Sequence, residues 1–193
     1  MSRGRRTGVR VIAGSARGMR LATPAGDATR PTTDRVKESV FAALGDAVLR
    51  DAAVLDLYAG SGALAIEALS RGAARALLVE RDRTALAAIR ANLDKTGFVD
   101  RARVERGAVE TVLRGDPPRE APFDVVLLDP PYDSLETELE PVLLALALPG
   151  WLTRGASVII ERPARATPLR LPKTWETSWR RNYGDTLVLA ATV

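Results

Sequence analysis

The sequence predicts an α/β protein: one domain on a mostly parallel, seven-stranded sheet that ends in an antiparallel hairpin, preceded by a small basic β-hairpin arm. Two observations carry this prediction. From Ala53 onward, apolar runs alternate with amphipathic segments, the pattern of right-handed βαβ units in a sheet covered on both faces. Near the N-terminus, RVIAGSARGMRLATP alternates apolar and basic positions around two glycines, as hairpins do. We expect the arm over residues 1–29 and the domain over residues 30–193.

Each element has its own signal along the chain. A first helix lies in RPTTDRVKESVFAALG, with a threonine to cap it, a glycine to end it and an apolar stripe of Val36, Val40, Phe41 and Leu44. The parallel strands are AVLDLY, ARALLVE, ARVERG, FDVVLLD and GASVIIER, and amphipathic segments such as ALAIEALSRG and RTALAAIRANLDKTG are the helices between them. The tail TWETSWRRNYGDTLVLAATV reads as two strands joined near Gly184.

The composition excludes several classes of chemistry. The 193 residues contain no cysteine and no histidine, so disulfides, thiolate metal sites and the commonest general base are absent. No metal site is indicated. No apolar run reaches transmembrane length and no signal peptide is present, so we expect a cytoplasmic protein with no membrane contact.

Positive charge is concentrated in the arm. Residues 1–20 hold six arginines and no acid, whereas the net charge of the whole chain is only +4. Such a cluster suits a polyanion, most often nucleic acid. The alternative is a solvated tail that only aids solubility. The arginines that would contact RNA are Arg3, Arg5, Arg6, Arg10, Arg17 and Arg20.

The first strand of the sheet runs into a glycine loop, DLYAGSGALA. Gly60 and Gly62 match the dinucleotide-binding fingerprint, and Glu80 ends the second strand, where a ribose-binding acid is expected. We expect Asp56 to face the ligand, where it would repel a pyrophosphate and attract an ammonium or sulfonium group. This favours S-adenosylmethionine over NAD as the cofactor, and a plain tight turn is the remaining alternative.

The fourth strand ends in DPPY, which is unsuited to packing because it combines an acid with two residues that lack a backbone donor. At a switch-point sheet edge, Asp129 would lie beside the glycine loop. Asp129 and the Pro130 carbonyl would accept the N–H groups of a planar exocyclic amine, while Pro131 keeps the backbone extended and Tyr132 stacks on the base. The motif is compatible with guanine N2 and adenine N6, and a strand-ending turn is the alternative.

RPTTDRVKESVF, LDLYAGSGALAIEALSRGA and LLDPPY, in this order, resemble the RsmD family of 16S rRNA guanine-N2 methyltransferases over nearly the whole chain. The resemblance implies a Rossmann-like class I methyltransferase domain, S-adenosylmethionine as donor, and one guanine of the small-subunit rRNA, in an assembled subunit, as target. We expect a monomer. It implies an amine site of Asp129, Pro130, Pro131 and Tyr132, and cofactor contacts from Arg30, Thr32, Arg35, Asp56, Tyr58, Ala59, Gly60, Ser61, Gly62, Glu80, Arg81 and Ala108.

One position departs from the family, because Gly107 and Ala108 stand where relatives often carry an acid or amide for the adenine amino group. Three other functions remain open. DNA adenine-N6 methyltransferases share DPPY but usually need a further domain to read and flip bases. A protein-amide methyltransferase would leave the basic arm without a purpose, and a non-catalytic RNA-binding assembly factor would tolerate change at Asp129.

Overall fold

The computed structural model describes residues 9–24, 34–131 and 139–193. Within them lies a seven-stranded sheet of order β3-β2-β1-β4-β5-β7-β6. Only β7 runs antiparallel to its neighbours, β5 and β6. The predicted fold class, including the terminal hairpin, is therefore confirmed. The strands are β1 (Ala53–Leu57), β2 (Arg75–Glu80), β3 (Ala102–Arg106), β4 (Phe123–Leu128), β5 (Leu152–Pro163), β6 (Glu176–Tyr183) and β7 (Thr186–Thr192).

Helices cover both faces of the sheet. The first face carries the arm and α1 to α4, and the second carries α5 and α6. β1 is buried along its whole length, as expected for a central parallel strand covered on both sides. No helix in the described ranges is long and apolar enough to cross a membrane. The helices are α1 (Asp34–Leu44), α2 (Asp46–Leu49), α3 (Ala63–Ser70), α4 (Arg83–Thr96), α5 (Val109–Leu113) and α6 (Leu139–Leu146).

The arm pairs with itself and packs onto the domain. Arg10 and Arg20 form an antiparallel bridge, and the Val11 amide donates to the Met19 carbonyl at 2.9 Å. Val9, Val11, Ala16 and Leu21 are buried in the core of the first face. Residues 9–24 are therefore part of the folded unit and not a solvated tail. The predicted boundary after residue 29 lies outside the described residues and stays a prediction.

A buried carboxylate on α3 holds the arm in place. Glu67, which is fully buried, accepts the backbone amides of Ile12 at 2.7 Å and Ala13 at 3.0 Å. It also accepts the Arg71 guanidinium at 2.8 Å and lies 3.6 Å from the ammonium of Lys37 on α1. A buried carboxylate is stable only when its acceptor sites are filled, so arm and α1 are both required around it.

The end of α3 makes a second attachment to the arm. The Ser70 carbonyl accepts a hydrogen bond from the Ser15 amide at 2.8 Å, and the Ser70 hydroxyl accepts one from the Ala16 amide at 2.9 Å. Gly14, at φ +80°, approaches so closely that an added Cβ would lie 1.8 Å from the Ser70 carbonyl oxygen. Glycine is therefore required at position 14 by space as well as by backbone conformation.

We predict that Gly14→Ala releases the arm from α3, whereas Gly18→Ala leaves it docked. Both glycines have positive φ, so both variants lose about 1–2 kcal/mol to backbone strain. Only position 14 adds a clash, since nothing lies within 4 Å of a Cβ on Gly18. Chemical unfolding and limited proteolysis of the arm measure the difference, and equal stability of the two variants would contradict the account.

Candidate active site

The pairing of β1 with β4 brings the two motifs to one edge of the sheet. The strands run parallel with Leu57 opposite Leu128, so the glycine loop and Asp129 begin side by side. The Asp129 side chain is half-buried, Pro130 is buried and Pro131 is exposed. The negative charge of Asp129 acts on Asp56, as does that of Glu80. Three carboxylates therefore gather where β1, β2 and β4 end.

Asp56 lies beneath the glycine loop, and its side chain does not open to a ligand. It is 1% exposed and accepts the Ala65 amide of the first α3 turn at 3.0 Å. The carboxylate is directed to the first turn of α3 because the free amides of a helix start attract it, and the predicted contact of Asp56 with a cofactor stays a prediction. Burial raises the pKa of Asp56 well above its usual range; the bond from Ala65 opposes the rise, and the charges of Asp129 and Glu80 add to it.

Glu80 fixes the shape of the glycine loop. One oxygen accepts the Gly60 amide at 2.8 Å, and the other accepts the amides of Arg81 at 2.7 Å and Asp82 at 2.9 Å. A carboxylate has about four acceptor sites, so about one is left for a ligand hydroxyl. The acid at the end of β2 thus holds the loop and can still bind one ribose hydroxyl.

The loop turns tightly into α3. The Gly62 amide donates to the Ala59 carbonyl at 2.7 Å, and Gly62 adopts φ +76° as the N-cap. A Cβ on Gly62 would lie 3.0 Å from Leu78, so the loop rests directly on β2. The Ser61 carbonyl accepts the side-chain amide of Asn92 on α4 at 2.9 Å.

Tyr58 enters the loop in a strained backbone conformation, with φ +61°. Its hydroxyl donates to a Glu110 carboxylate oxygen on α5 at 2.9 Å. Strain of this kind persists where neighbours enforce it and is concentrated at functional sites. Ala108, half-buried, is the N-cap of α5, and its carbonyl accepts the amides of Thr111 and Val112.

Several predicted site residues cannot be placed. Arg30, Thr32 and Tyr132 lie outside the described residues, and so does the side chain of Arg35, whose backbone belongs to the first turn of α1. Among the predicted RNA contacts, Arg10, Arg17 and Arg20 are exposed on the arm, and Arg3, Arg5 and Arg6 lie outside the described residues. In the described ranges no group of three His, Cys, Asp or Glu residues could hold a metal ion.

Sequence reasoning missed the residues that connect the elements. Asn92 exchanges two hydrogen bonds with Ala22 of the arm and donates to the loop at Ser61. The sequence did indicate that Asn92 is buried, because it follows Ile89 by three residues and so lies on the same, buried face of α4. Lys37 lies four residues before Phe41 on the buried face of α1, which is the same signal. No pattern in the sequence indicated that Glu110 accepts a hydrogen bond from Tyr58.

The comparisons identify the family. A family model described as conserved hypothetical protein 95 matches residues 9–191. Ribosomal RNA small subunit methyltransferase D of Escherichia coli is 36% identical over 86% of this chain and 81% of its own. The chain belongs to the RsmD family. This confirms the family predicted from the motifs.

Two further similar proteins match over similar lengths. The Bacillus subtilis protein YlbH is 38% identical over 86% of this chain and 87% of its own. The solved structure of the Escherichia coli protein yhhF superposes on this chain with a TM-score of 0.82 at 34% sequence identity. The superposition covers 95% of this chain and 97% of the yhhF chain. The described fold is therefore the class I methyltransferase fold of its relatives.

We predict that Asp56→Asn stabilises the protein increasingly as pH rises. Because the folded pKa of Asp56 is raised, the folded protein keeps a proton above the usual carboxyl pKa of about 3.9 that the unfolded chain loses. Stability of the parent chain therefore falls as pH rises through this window, and the neutral asparagine escapes the loss. Urea unfolding across pH measures the difference between variant and parent.

Asp82→Asn is the control with the opposite sign. Asp82 caps α4 by accepting the Thr84 and Ala85 amides, and its pKa is lowered, chiefly by the bond from the Thr84 side chain. Its contribution is present above the usual carboxyl pKa and is lost as pH falls through the lowered value. Parallel pH profiles for the two variants would show that the buried carboxylate does not carry the effect.

Proposed function

We propose that this chain transfers a methyl group from S-adenosylmethionine to the exocyclic N2 amine of one guanine in 16S rRNA, within an assembled small ribosomal subunit. The single observation that supports this best is the position of Asp129, at the end of β4 beside the glycine loop. The relatives named as small-subunit rRNA methyltransferases support the RNA substrate.

The charges at the edge of the sheet fit the proposed cofactor. Glu80 and Asp129 make a negative environment that disfavours a pyrophosphate and favours a ligand with cationic groups. Asp56, whose pKa is raised by burial, contributes by holding the first turn of α3 beneath the loop, and Glu80 contributes its remaining acceptor site. When bound, S-adenosylmethionine supplies an electrophilic methyl group on a sulfonium sulfur.

The chain contributes acceptors and position. An exocyclic amine is a weak nucleophile because its lone pair is delocalised into the base. Asp129 and the Pro130 carbonyl accept its two N–H groups, which directs the lone pair toward the methyl group, and holding the reactants in line supplies much of the rate. The amine becomes acidic only as the new N–C bond forms, so no histidine is needed and the proton leaves through Asp129.

The arm supplies the RNA contacts of the proposal. Arg10, Arg17 and Arg20 are exposed on a hairpin that Glu67 and Ser70 attach to α3, so they are presented in a fixed position. We extend the same role to Arg3, Arg5 and Arg6. The proposal includes a monomer that acts in the cytoplasm, where small subunits are assembled.

A DNA adenine-N6 methyltransferase is the second candidate, because DPPY also suits adenine N6. Such enzymes usually require an additional domain for base flipping. The relatives named as rRNA methyltransferases favour rRNA as the substrate. A non-catalytic assembly factor is less favoured, since the acids and the glycine loop are all in place.

We predict that Asp129→Ala lowers methyl transfer to assembled small subunits by about 100-fold or more, because the amine loses its main acceptor. Affinity for S-adenosylmethionine, measured by calorimetry, should change by no more than about twofold. Asp100→Ala, at an exposed position before β3, is the matched control and should retain activity. An equal loss of transfer and donor affinity in Asp129→Ala would contradict the assigned role.

We predict that Arg17→Gln with Arg20→Gln weakens binding to small subunits and reduces its salt dependence, since each lost phosphate contact lowers the log–log slope by about 0.7–0.9. Substitution is preferable to deletion of residues 1–20, which would expose Glu67 and Ser70. Arg50→Gln, on an exposed arginine after α2, is the control. An unchanged slope in the double variant would contradict RNA binding by the arm.

A further inference from the structure

We propose that the edge strand β6 carries a second RNA-binding surface, which holds an unpaired segment next to the modified base. Trp179, Arg180, Arg181 and Tyr183 make up this β6 surface. Together with Ala43 of α1 they line a depression of about 260 Å³, which is smaller than the pockets of drug-sized ligands and of the size for one base or side chain. The proposal rests on the function proposed above and adds a substrate contact to it.

The β6 surface combines fixed rings with exposed charge. Trp179 and Tyr183 are half-buried and pack against the core of the first face, so their orientations are set by the fold. A register shift between Thr177 and Trp179 marks a bulge, a feature that re-aims side chains on edge strands. Arg181 is exposed on the same face of the strand as the rings, and Arg180 is exposed between them in sequence, on the opposite face. Aromatic rings flanked by arginine are the recurring elements of single-strand binding sites.

The arginines of the β6 surface differ in their ion pairing from an arginine at the other edge of the sheet. Within the described ranges no carboxylate lies at ion-pair distance from Arg180 or Arg181. The opposite edge strand, β3, differs because its Arg103 is paired with Glu105 at 2.7 Å and with Glu120 at 3.0 Å. Arg103 of β3 is thus engaged by carboxylates, whereas the described residues offer no such partner to Arg180 and Arg181, whose charge is complementary to phosphate.

The register places the β6 surface level with the amine site. Arg181 of β6 lies opposite Val188 of β7, and Val188 lies opposite Glu161 of β5. Leu128 of β4 lies opposite Ile160, so the next residue, Asp129, is level with Glu161. Arg181 is therefore level with Asp129, across three strand spacings of about 4.8 Å, or about 14 Å. β6 also runs parallel to β4, so Tyr183 ends at the edge where the glycine loop and Asp129 lie.

The chemistry of the edge favours RNA over another protein strand. An unpaired edge can accept a strand from a protein partner or a second copy, but charged side chains on the edge oppose such pairing. The same charges attract a phosphate backbone. The depression admits a single splayed base and no duplex, so the occupant that fits is unpaired RNA. The arm and β6 both belong to the first face, with α1 between them.

The test compares Arg180→Gln with Arg181→Gln, made together, against Arg154→Gln. Arg154 is equally exposed but lies near the start of β5, at the end of the strand far from the amine site. We expect the double variant to weaken binding to assembled small subunits about tenfold at 150 mM salt, with a log–log salt slope lower by about 1.4. Donor affinity and the binding of the Arg154 variant should match those of the parent chain.

Each other outcome overturns part of the account. Unchanged subunit affinity, or an equal loss in the Arg154 variant, would rule out the β6 surface. A loss with assembled subunits but not with protein-free 16S rRNA fragments that contain the target region would mean that the surface contacts a ribosomal protein, which also contradicts the proposal. If the parent chain itself neither binds nor methylates small subunits, the proposed function fails, and the comparison of variants is not needed to decide it.

Substitution of Trp179 tests base stacking separately from charge, because it changes RNA binding without changing the charge of the surface. Trp179→Leu removes stacking and should weaken binding about fivefold or more, whereas Trp179→Phe keeps a ring and should lie within about twofold of the parent. Thermal unfolding of both variants shows whether the half-buried position has lost stability. Equal binding of the leucine and phenylalanine variants, with both folded, would mean that no base stacks on this surface.

Discussion

The parallel pairing of β1 with β2 and with β4 is the constraint on which the rest of the structure depends. It brings the ends of three strands to one edge, so that the glycine loop, Glu80 and Asp129 meet although they are distant in sequence. Burial in the sheet raises the pKa of Asp56, and the charges of Asp129 and Glu80, which the same pairing brings near, add to the rise. The charges of Glu80 and Asp129 that add to this rise would also attract a cationic methyl donor to the same edge.

The arm is coupled to this edge through two helices. α3 begins at the glycine loop and holds the arm through Glu67 and Ser70, and α4 touches both the arm and the loop through Asn92. The basic hairpin and the loop are thus attached to the same pair of helices. An RNA held by the arm would therefore be positioned relative to the donor loop.

Much of the fold could be predicted because its signals are local. Alternating strands and helices, the closing hairpin at Gly184 and the two motifs at strand ends are all visible in short windows of sequence. The orientation of Asp56 could not be predicted in this way. Its position on a buried strand is readable, but whether it faces a ligand or the first turn of α3 depends on which donors the tertiary structure leaves unsatisfied.

The docking of the arm was hidden for a related reason. Glu67 binds backbone amides, which have no sequence signature, and its cationic neighbour Lys37 lies on another helix. Likewise, the charge of the β6 surface stands out only when its neighbours in space are known. Long-range polar contacts between elements are the part of the structure that a single sequence does not reveal.

The identity of the modified nucleoside tests the central claim most directly. Assembled small subunits that lack the modification are methylated with labelled S-adenosylmethionine, the rRNA is digested, and the labelled nucleoside is identified by mass spectrometry. We expect a single labelled species, N2-methylguanosine, because the two acceptors beside the glycine loop suit an exocyclic amine and the resemblance of the motifs to the RsmD family favours guanine N2 over adenine N6. Label on N6 of adenine, or on a ring carbon or ribose, would contradict the assignment of the Asp129 edge as a guanine-amine site.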